Sequence, residues 1–324
     1  MAKRPSEFAL IAKVFAPLAT SPGAFDLRDD AAVLPAREGC DLVVTTDALV
    51  EGVHFLASDP PGTVAKKALR VNLSDLAAKG AEPVGYLLAL SLPERVDEAW
   101  LESFAQGLGD DQAEFNVSLL GGDTTATPGP LTLAITAMGH VPTGGMIRRA
   151  GAVAGDAVFI SGTIGDGGGG LAVLKGDGER LDAREREELV ARYRTPPPRL
   201  ALGQALRGVA SAALDVSDGL IADLAHITEV SGVRIVVEVE QVPYSQALRA
   251  LWGDTREGRI RAVTSGDDYE IAFTARSEAA VLAAARRSGV PVTRIGWVEA
   301  GSGVALLDAD GREIPLSHAG FTHF

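Results

Sequence analysis

Leu42-Val43-Val44-Thr45-Thr46-Asp47-Ala48-Leu49-Val50-Glu51-Gly52-Val53-His54-Phe55 is the stretch on which the reading of this chain turns. Leu42 to Val44 form an apolar run that predicts a short buried strand. That strand is expected to stop on two hydroxyls and a carboxylate, Thr45, Thr46 and Asp47. Hard oxygens at a strand end suit Mg²⁺ or a magnesium-bound phosphate. Gly52 and His54 follow, a flexible point and a titratable ring near the same place. Turn chemistry alone also explains a Thr-Asp at a strand end, so the weight falls on whether the pattern recurs.

It does. Upstream, Asp29-Asp30 opens an expected short strand, Ala31 to Leu34; a solvated loop pair is the plainer reading. Before it, Ser6 is placed to cap a helix reaching Leu18, with Phe8, Ile11, Ala12 and Phe15 on one face. Downstream, Pro61-Gly62 introduces a helix from Thr63 to Lys79, closed by Gly80. Asn72, Asp75 and Lys79 share a face of it. Asn, Ser and Asp are poor mid-helix residues, and the alternative to a functional patch is a surface Asp75–Lys79 pair. Val117 to Leu120 reads as a strand ending in Gly121-Gly122-Asp123-Thr124-Thr125. The first half thus alternates strands and helices with acids near strand ends, where open α/β sheets gather ligands.

The second half restarts after Thr143-Gly144-Gly145 and Arg148-Arg149. Ala157 to Ser161 predicts a strand and Gly162 to Gly170 a glycine-rich turn into a helix. Such a turn can cradle phosphate, but it lacks the Gly-Lys-Ser/Thr ending of a P-loop. Gly176 to Arg194 reads as a charged, solvated helix. Ser211 to Leu214 runs into Asp215-Val216-Ser217-Asp218-Gly219-Leu220, where helix capping explains part of the motif. Ser265-Gly266-Asp267-Asp268-Tyr269-Glu270 leads into a strand from Ile271 to Thr274.

Composition bounds the function. The 324 residues predict about two domains. The formal charge of −13 argues against nonspecific nucleic-acid binding. Cys40 is the sole cysteine, which excludes an intrachain disulfide and a cysteine-based zinc site. No apolar run is long enough to span a membrane, and the N-terminus lacks a signal-peptide core; a cytoplasmic protein is expected. Converged carboxylates repel unless divalent cations bind among them. Mg²⁺ takes few carboxylates and completes its shell with water and phosphate, so several Mg²⁺ ions bridged by phosphates fit better than a closed protein cage.

Taken in order, Thr45-Thr46-Asp47 with Glu51-Gly52-Val53-His54-Phe55, Asn72-Leu73-Ser74-Asp75-Leu76-Ala77-Ala78, Gly121-Gly122-Asp123-Thr124, Ser217-Asp218-Gly219-Leu220 and Gly266-Asp267-Asp268-Tyr269-Glu270 closely resemble the thiamine-monophosphate kinase family. That family belongs with the aminoimidazole-ribonucleotide synthetase-like proteins. The resemblance implies an α/β fold with mixed sheets in two domains, residues 1–142 and 143–324, and a homodimer formed through the N-terminal sheet. It implies transfer of the ATP γ-phosphate onto thiamine monophosphate. It also implies that Asp30, Thr45, Thr46, Asp47, Asp75, Asp123, Asp215 and Asp218 arrange magnesium. Gly122, Asp123, Arg149 and Ser217 would contact ATP; His54, Asp267 and Phe321 would contact thiamine monophosphate. Arg28 stands where the family usually has glycine, which leaves open which acid of the Asp29/Asp30 pair ligates. Lys79 replaces an expected apolar residue and reads as an exposed local change.

The acceptor is itself an anionic phosphate, so no strong base and no covalent residue is required, and direct transfer is expected. The rival readings are another ATP-using enzyme of the superfamily, such as selenophosphate or aminoimidazole-ribonucleotide synthetase, and a silent nucleotide-binding scaffold. Cys40, in Glu38-Gly39-Cys40-Asp41, does not look like the reactive cysteine of a selenophosphate synthetase. A silent scaffold predicts eroded magnesium acids, and these are present.

Overall fold

A computed structural model describes residues 7–316 and 318–322. The chain divides into two compact units, Met1–Leu76 with Glu82–Gly144, and Ala77–Ala81 with Gly145–Phe324.

The first unit holds α1 (Glu7–Leu10), β1 (Cys40–Val50), α2 (Pro61–Ala78, whose last two residues fall in the second unit), β2 (Glu82–Leu92), α3 (Glu98–Phe115), β3 (Ser118–Ala126) and β4 (Thr132–Pro142). Its four strands form one sheet in the order β1-β4-β2-β3. β4 runs antiparallel to both β1 and β2, and only β2 and β3 are parallel. One face carries the helices: Leu69, Leu73, Leu76, Leu101, Phe104 and Leu108 are fully buried. α2 and α3 approach so closely that a Cβ on Gly107 would lie 2.3 Å from the Gly62 carbonyl oxygen, so only glycine fits there. The other face leaves Leu42, Val44 and Leu87 exposed.

Four expectations are corrected here. β1 does not stop at Thr45: it continues through Asp47 to Val50, paired throughout with β4. Likewise Asp123 lies within β3, opposite Ala89. Ladder pairing outweighed the turn-forming character of Thr and Asp. Residues 31–34 form no strand; the Val33 N–H goes to the Gly23 carbonyl at 2.8 Å instead of to a ladder. The N-terminal helix breaks after Leu10 into a π-helical stretch, Ile11–Phe15, and a 3₁₀ turn, Ala16–Leu18. Its buried residues are Leu10, Val14, Phe15 and Leu18, and Ala12 is exposed. Ser6, its expected cap, lies outside the described residues.

The second unit holds β5 (Ala157–Ser161), α4 (Asp166–Leu174), α5 (Ala183–Arg194), α6 (Leu200–Ala205), β6 (Ala212–Asp215), α7 (Leu220–Ser231), β7 (Arg234–Glu238), α8 (Gln246–Trp252), α9 (Arg256–Val263), β8 (Ile271–Ala275), α10 (Glu278–Ser288), β9 (Val292–Glu299) and β10 (Gly303–Leu307). Its six strands order as β10-β7-β9-β5-β8-β6, parallel only between β10 and β7. Both faces are buried. Val158 and Ile160 pack into one core with Leu214, Leu224 and Ile235, while Phe159 points into another with Phe273, Leu202 and Val281. Two-sided burial is why these strands read as unbroken apolar runs rather than alternating ones. Ala77, at the end of α2, belongs to the second of these cores.

Candidate active site

In the first unit the helix-covered face of β1 gathers Thr45, Asp47, Asn72 and Asp75. Side chains alternate along a strand, so Thr45 and Asp47 face α2 while Thr46 faces the open side. There the Thr46 hydroxyl donates to the Ile135 carbonyl at 3.1 Å and accepts from Thr136. Asn72 explains itself structurally: fully buried, it donates to the Ala68 carbonyl and accepts the Asp47 N–H at 3.1 Å, stitching α2 to β1. Asp75 accepts the Thr45 hydroxyl at 2.5 Å. It does not pair with Lys79, whose ammonium goes to the Ala213 carbonyl at 2.9 Å; Lys79 is half-buried, not an exposed change. Burial, and then the charge of Asp75, push the Asp47 carboxyl up to about 6. Two like charges facing each other in a half-dry setting favour a proton or a metal cation between them.

Asp30 and Asp123 stand apart from that group. Both line a cavity of about 810 Å³, with Leu87, Gly122, Thr136 and Met138. Asp29 lines it too, but its Oδ1 accepts the Asp30 N–H at 2.8 Å and so serves its own turn. Gly122 is required by the sheet itself: a Cβ there would sit 1.9 Å from the Leu88 carbonyl oxygen. His54 is held on the turn after β1, where its Nδ1 accepts the Val50 N–H at 3.0 Å.

In the second unit, Asp215 ends β6 and is buried, Ser217 is exposed and Asp218 half-buried. What shapes this loop is Asp223, which the sequence reading passed over. Its Oδ2 accepts the N–H groups of Ser217, Asp218 and Gly219 at 3.0, 3.0 and 3.1 Å. Burial and the neighbouring Asp218 charge raise its carboxyl to about 7, against the pull of those N–H donors. Successive N–H groups of this kind form an anion nest, and here the protein's own carboxylate fills it. Arg149 is exposed, and its carbonyl accepts from Ser231.

Asp267 sits at φ 69° and Tyr269 at φ 52°, on either side of the buried Asp268. Non-glycine residues in this region are strained, and such strain concentrates at functional sites. Asp268 accepts the N–H groups of Gly165 and Gly167 at 2.7 and 3.1 Å, and burial raises its carboxyl well above the usual range. The glycine-rich turn therefore spends these donors on Asp268 rather than on a phosphate. Its glycines serve close packing, since a Cβ on Gly167 would fall 2.1 Å from the Asp267 carbonyl oxygen. Glu270, also fully buried, accepts from Arg192, Arg199 and Ser161. The expected solvated helix is thus docked on one side: α5 buries Leu189 and Tyr193 and sends Arg192 to Glu270. Phe321 is 50% exposed, and its N–H donates to the Asp218 carbonyl at 2.9 Å. His323 and Phe324, the other ring-bearing residues of the tail, lie outside the described residues.

The donors suit magnesium. They are carboxylate and hydroxyl oxygens, and Asp47 and Asp75 repel without a cation. Among the described residues no three His, Cys, Asp or Glu side chains form a ready-made cage. A site with few carboxylates, completed by water and phosphate, is what Mg²⁺ selects.

Residues 28–141 match the N-terminal domain model of AIR synthase related proteins, and residues 153–308 match the C-terminal one. Thiamine-monophosphate kinase of Caulobacter vibrioides is 48% identical over 326 residues, covering 98% of this chain and 91% of that protein. The crystal structure of thiamine-monophosphate kinase from Stenotrophomonas maltophilia has a TM-score of 0.81 at 42% identity, covering 89% of this chain and 91% of that one. AaThiL complexed with AMPPCP and TMP has a TM-score of 0.78 at 31% identity, covering 98% and 94%. The chain belongs to the thiamine-monophosphate kinase family. No helix among the described residues is long and apolar enough to cross a membrane.

Proposed function

We propose that this protein phosphorylates thiamine monophosphate with ATP, giving thiamine diphosphate and ADP by direct in-line transfer. The observation that carries the reading is the Asp47–Asp75 pair on β1 and α2, in a chain of this family. The complex of the relative AaThiL with AMPPCP and TMP supports both substrates.

An oxygen of the acceptor phosphate forms the new bond to the γ-phosphorus as the bond to the β,γ-bridging oxygen breaks, and ADP departs with that electron pair. Within the first unit Asp47, Asp75 and Thr45 would hold Mg²⁺, as would Asp30, Thr46 and Asp123; within the second, Asp215 and Asp218. When bound, Mg²⁺ supplies charge neutralisation between the two polyanions. Ser217 and Arg149 offer a hydroxyl and a guanidinium to ATP, together with Gly122. His54, Asp267 and Phe321 receive thiamine monophosphate. No covalent residue is needed, because the nucleophile is already anionic. The apolar open face of the first sheet supports a homodimer.

Incubation with ATP, Mg²⁺ and thiamine monophosphate, followed by chromatography, should show thiamine diphosphate and ADP in equal amounts. ATP hydrolysis without thiamine diphosphate would overturn the reading.

A further inference from the structure

Lys67 is 2% exposed on α2, among Val64, Ala68 and Val71, on the side where the helix otherwise buries apolar residues. Its neighbour Lys66 does what surface lysines do and pairs with Asp110 at 3.0 Å. A buried ammonium is expensive unless it is matched, and methionine would fill the same space without that penalty. The Lys67 ammonium donates to the backbone carbonyl of His54 at 2.8 Å.

That carbonyl belongs to a turn held at several points. The N–H groups of Val53 and His54 both go to the Val50 carbonyl, and Gly52, at φ +84°, donates to Phe55. Phe55 is buried at 2% exposure, and Glu51 is ion-paired to Arg95. The Val50 N–H donates to Nδ1 of the His54 ring at 3.0 Å. An imidazole nitrogen that accepts cannot carry the proton, so the neutral ring bears its N–H at Nε2. Lys67 pins the backbone from which this ring projects.

We propose that Lys67 is a positioning residue for the acceptor site: it fixes the Val50–Phe55 turn so that His54 presents Nε2–H to the phosphate end of thiamine monophosphate. The inference rests on the reading of His54 as an acceptor contact. An N–H donor suits a phosphate oxygen, and the turn determines which nitrogen is the donor.

The test pairs kinetics with spectroscopy on the full chain. Lys67→Met removes the donor and charge at similar length; Lys67→Gln keeps a donor without charge. Loss of one charged donor hydrogen bond should raise the KM for thiamine monophosphate about tenfold or more in Lys67→Met. The KM for ATP should stay within about twofold, a change too small to signify a lost contact. Lys67→Gln should recover part of the loss. Long-range ¹H–¹⁵N spectra of the imidazoles, with His54→Asn to assign the signal, should show the Nε2–H tautomer in the wild type and a mixture in Lys67→Met. If Lys67→Met does not fold, His54→Gln, with an amide donor near the Nε2 position, should keep more acceptor affinity than His54→Asn. An unchanged KM and tautomer in folded Lys67→Met, or His54→Asn outperforming His54→Gln, overturns the proposal. A wild type that makes no thiamine diphosphate overturns the kinase reading instead, and the tautomer measurement stands apart from that result.

Discussion

Asp75, on α2, lies against the middle of β1 and shares a helix-covered face with Asp47, whose carboxyl it helps to raise to about 6. The first unit thus builds repulsion into its own fold. Asp47→Asn removes one of the facing charges. Turnover should fall on the order of 100-fold or more, since a metal ligand is worth several kcal/mol in such chemistry. The same variant should be more stable than the wild type without Mg²⁺ at pH 7, by roughly 2–3 kcal/mol at most, the free energy of the shift. Folded Asp47 titrates above its unfolded value of 3.8, so its proton is held more tightly in the fold. Stability from that proton is full below about pH 4 and lost as pH rises through about 6. Melting curves at pH 5 and pH 7 in EDTA check this: the wild type should lose more stability between them than Asp47→Asn. Equal losses would sink the argument.

Asp223 fills the nest formed by Ser217, Asp218 and Gly219. Asp223→Ala would strand three N–H groups and should cost roughly 2–4 kcal/mol of stability. ATP affinity should fall more than thiamine monophosphate affinity, because Ser217 sits on the loop that loosens. Asp223→Asn keeps an accepting oxygen and should lie between wild type and alanine in melting temperature. Isothermal titration with each substrate and a thermal scan decide it; an alanine variant of wild-type stability contradicts the role.

Glu270 receives Arg192 and Arg199 in a buried cluster, with Ser161 beneath it. Glu270→Gln leaves two guanidiniums facing a neutral amide. Breaking a buried pair from one side typically costs about 3–5 kcal/mol. Denaturant unfolding should show that loss, and a change below about 1 kcal/mol, the scale of an exposed pair, would mean the cluster is solvated in solution.

Much of this was legible in the sequence because the apolar patterning is strong. Ala157–Ser161 falls where its pattern places it, bounded by Asp156 and Gly162, and the strand expected from Ile271 to Thr274 runs only one residue further, to Ala275. Asp47 and Asp123 were recognisable as special residues but misplaced. A Thr-Thr-Asp run signals a turn locally, and only pairing with β4 keeps it in a strand. Asp223 gave no signal: an acid in the first turn of a helix is ordinary, and its three N–H partners exist only once the preceding loop is folded. Arg192 was hidden in a charged run for the same reason. α9 was missed altogether, its Arg-rich sequence carrying little apolar periodicity.

Leu42, Val44 and Leu87 lie on the open face of the first sheet, 50%, 57% and 40% exposed. If that face meets a second copy, sedimentation at micromolar concentration should show a dimer. Val44→Asp would bury a charge at the contact and should shift the population toward monomer, since an unpaired buried charge costs several kcal/mol. A wild type that sediments as a fully active monomer would remove the dimer from the proposal.

Phe321 carries the last prediction. Its backbone, not only its ring, attaches the tail: the N–H reaches the Asp218 carbonyl, and Gly320 packs so tightly that a Cβ would lie 2.5 Å from that same oxygen. The ring is half exposed beside the Ser217–Gly219 loop, a position suited to a ligand. An aromatic face over a thiazolium cation is worth about 0.5–2 kcal/mol, depending on desolvation. Phe321→Ala should therefore weaken thiamine monophosphate roughly three- to thirty-fold, since about 1.4 kcal/mol is tenfold. Phe321→Tyr keeps an aromatic face and should retain most of the affinity. ATP binding should scarcely change, because the ring contributes no group assigned to the nucleotide. Paired titrations on each variant, with a melting curve, separate the possibilities. A parallel fall in both affinities, or a collapse in melting temperature, would make the ring a clamp for the tail. The acceptor site would then have to be closed by another residue.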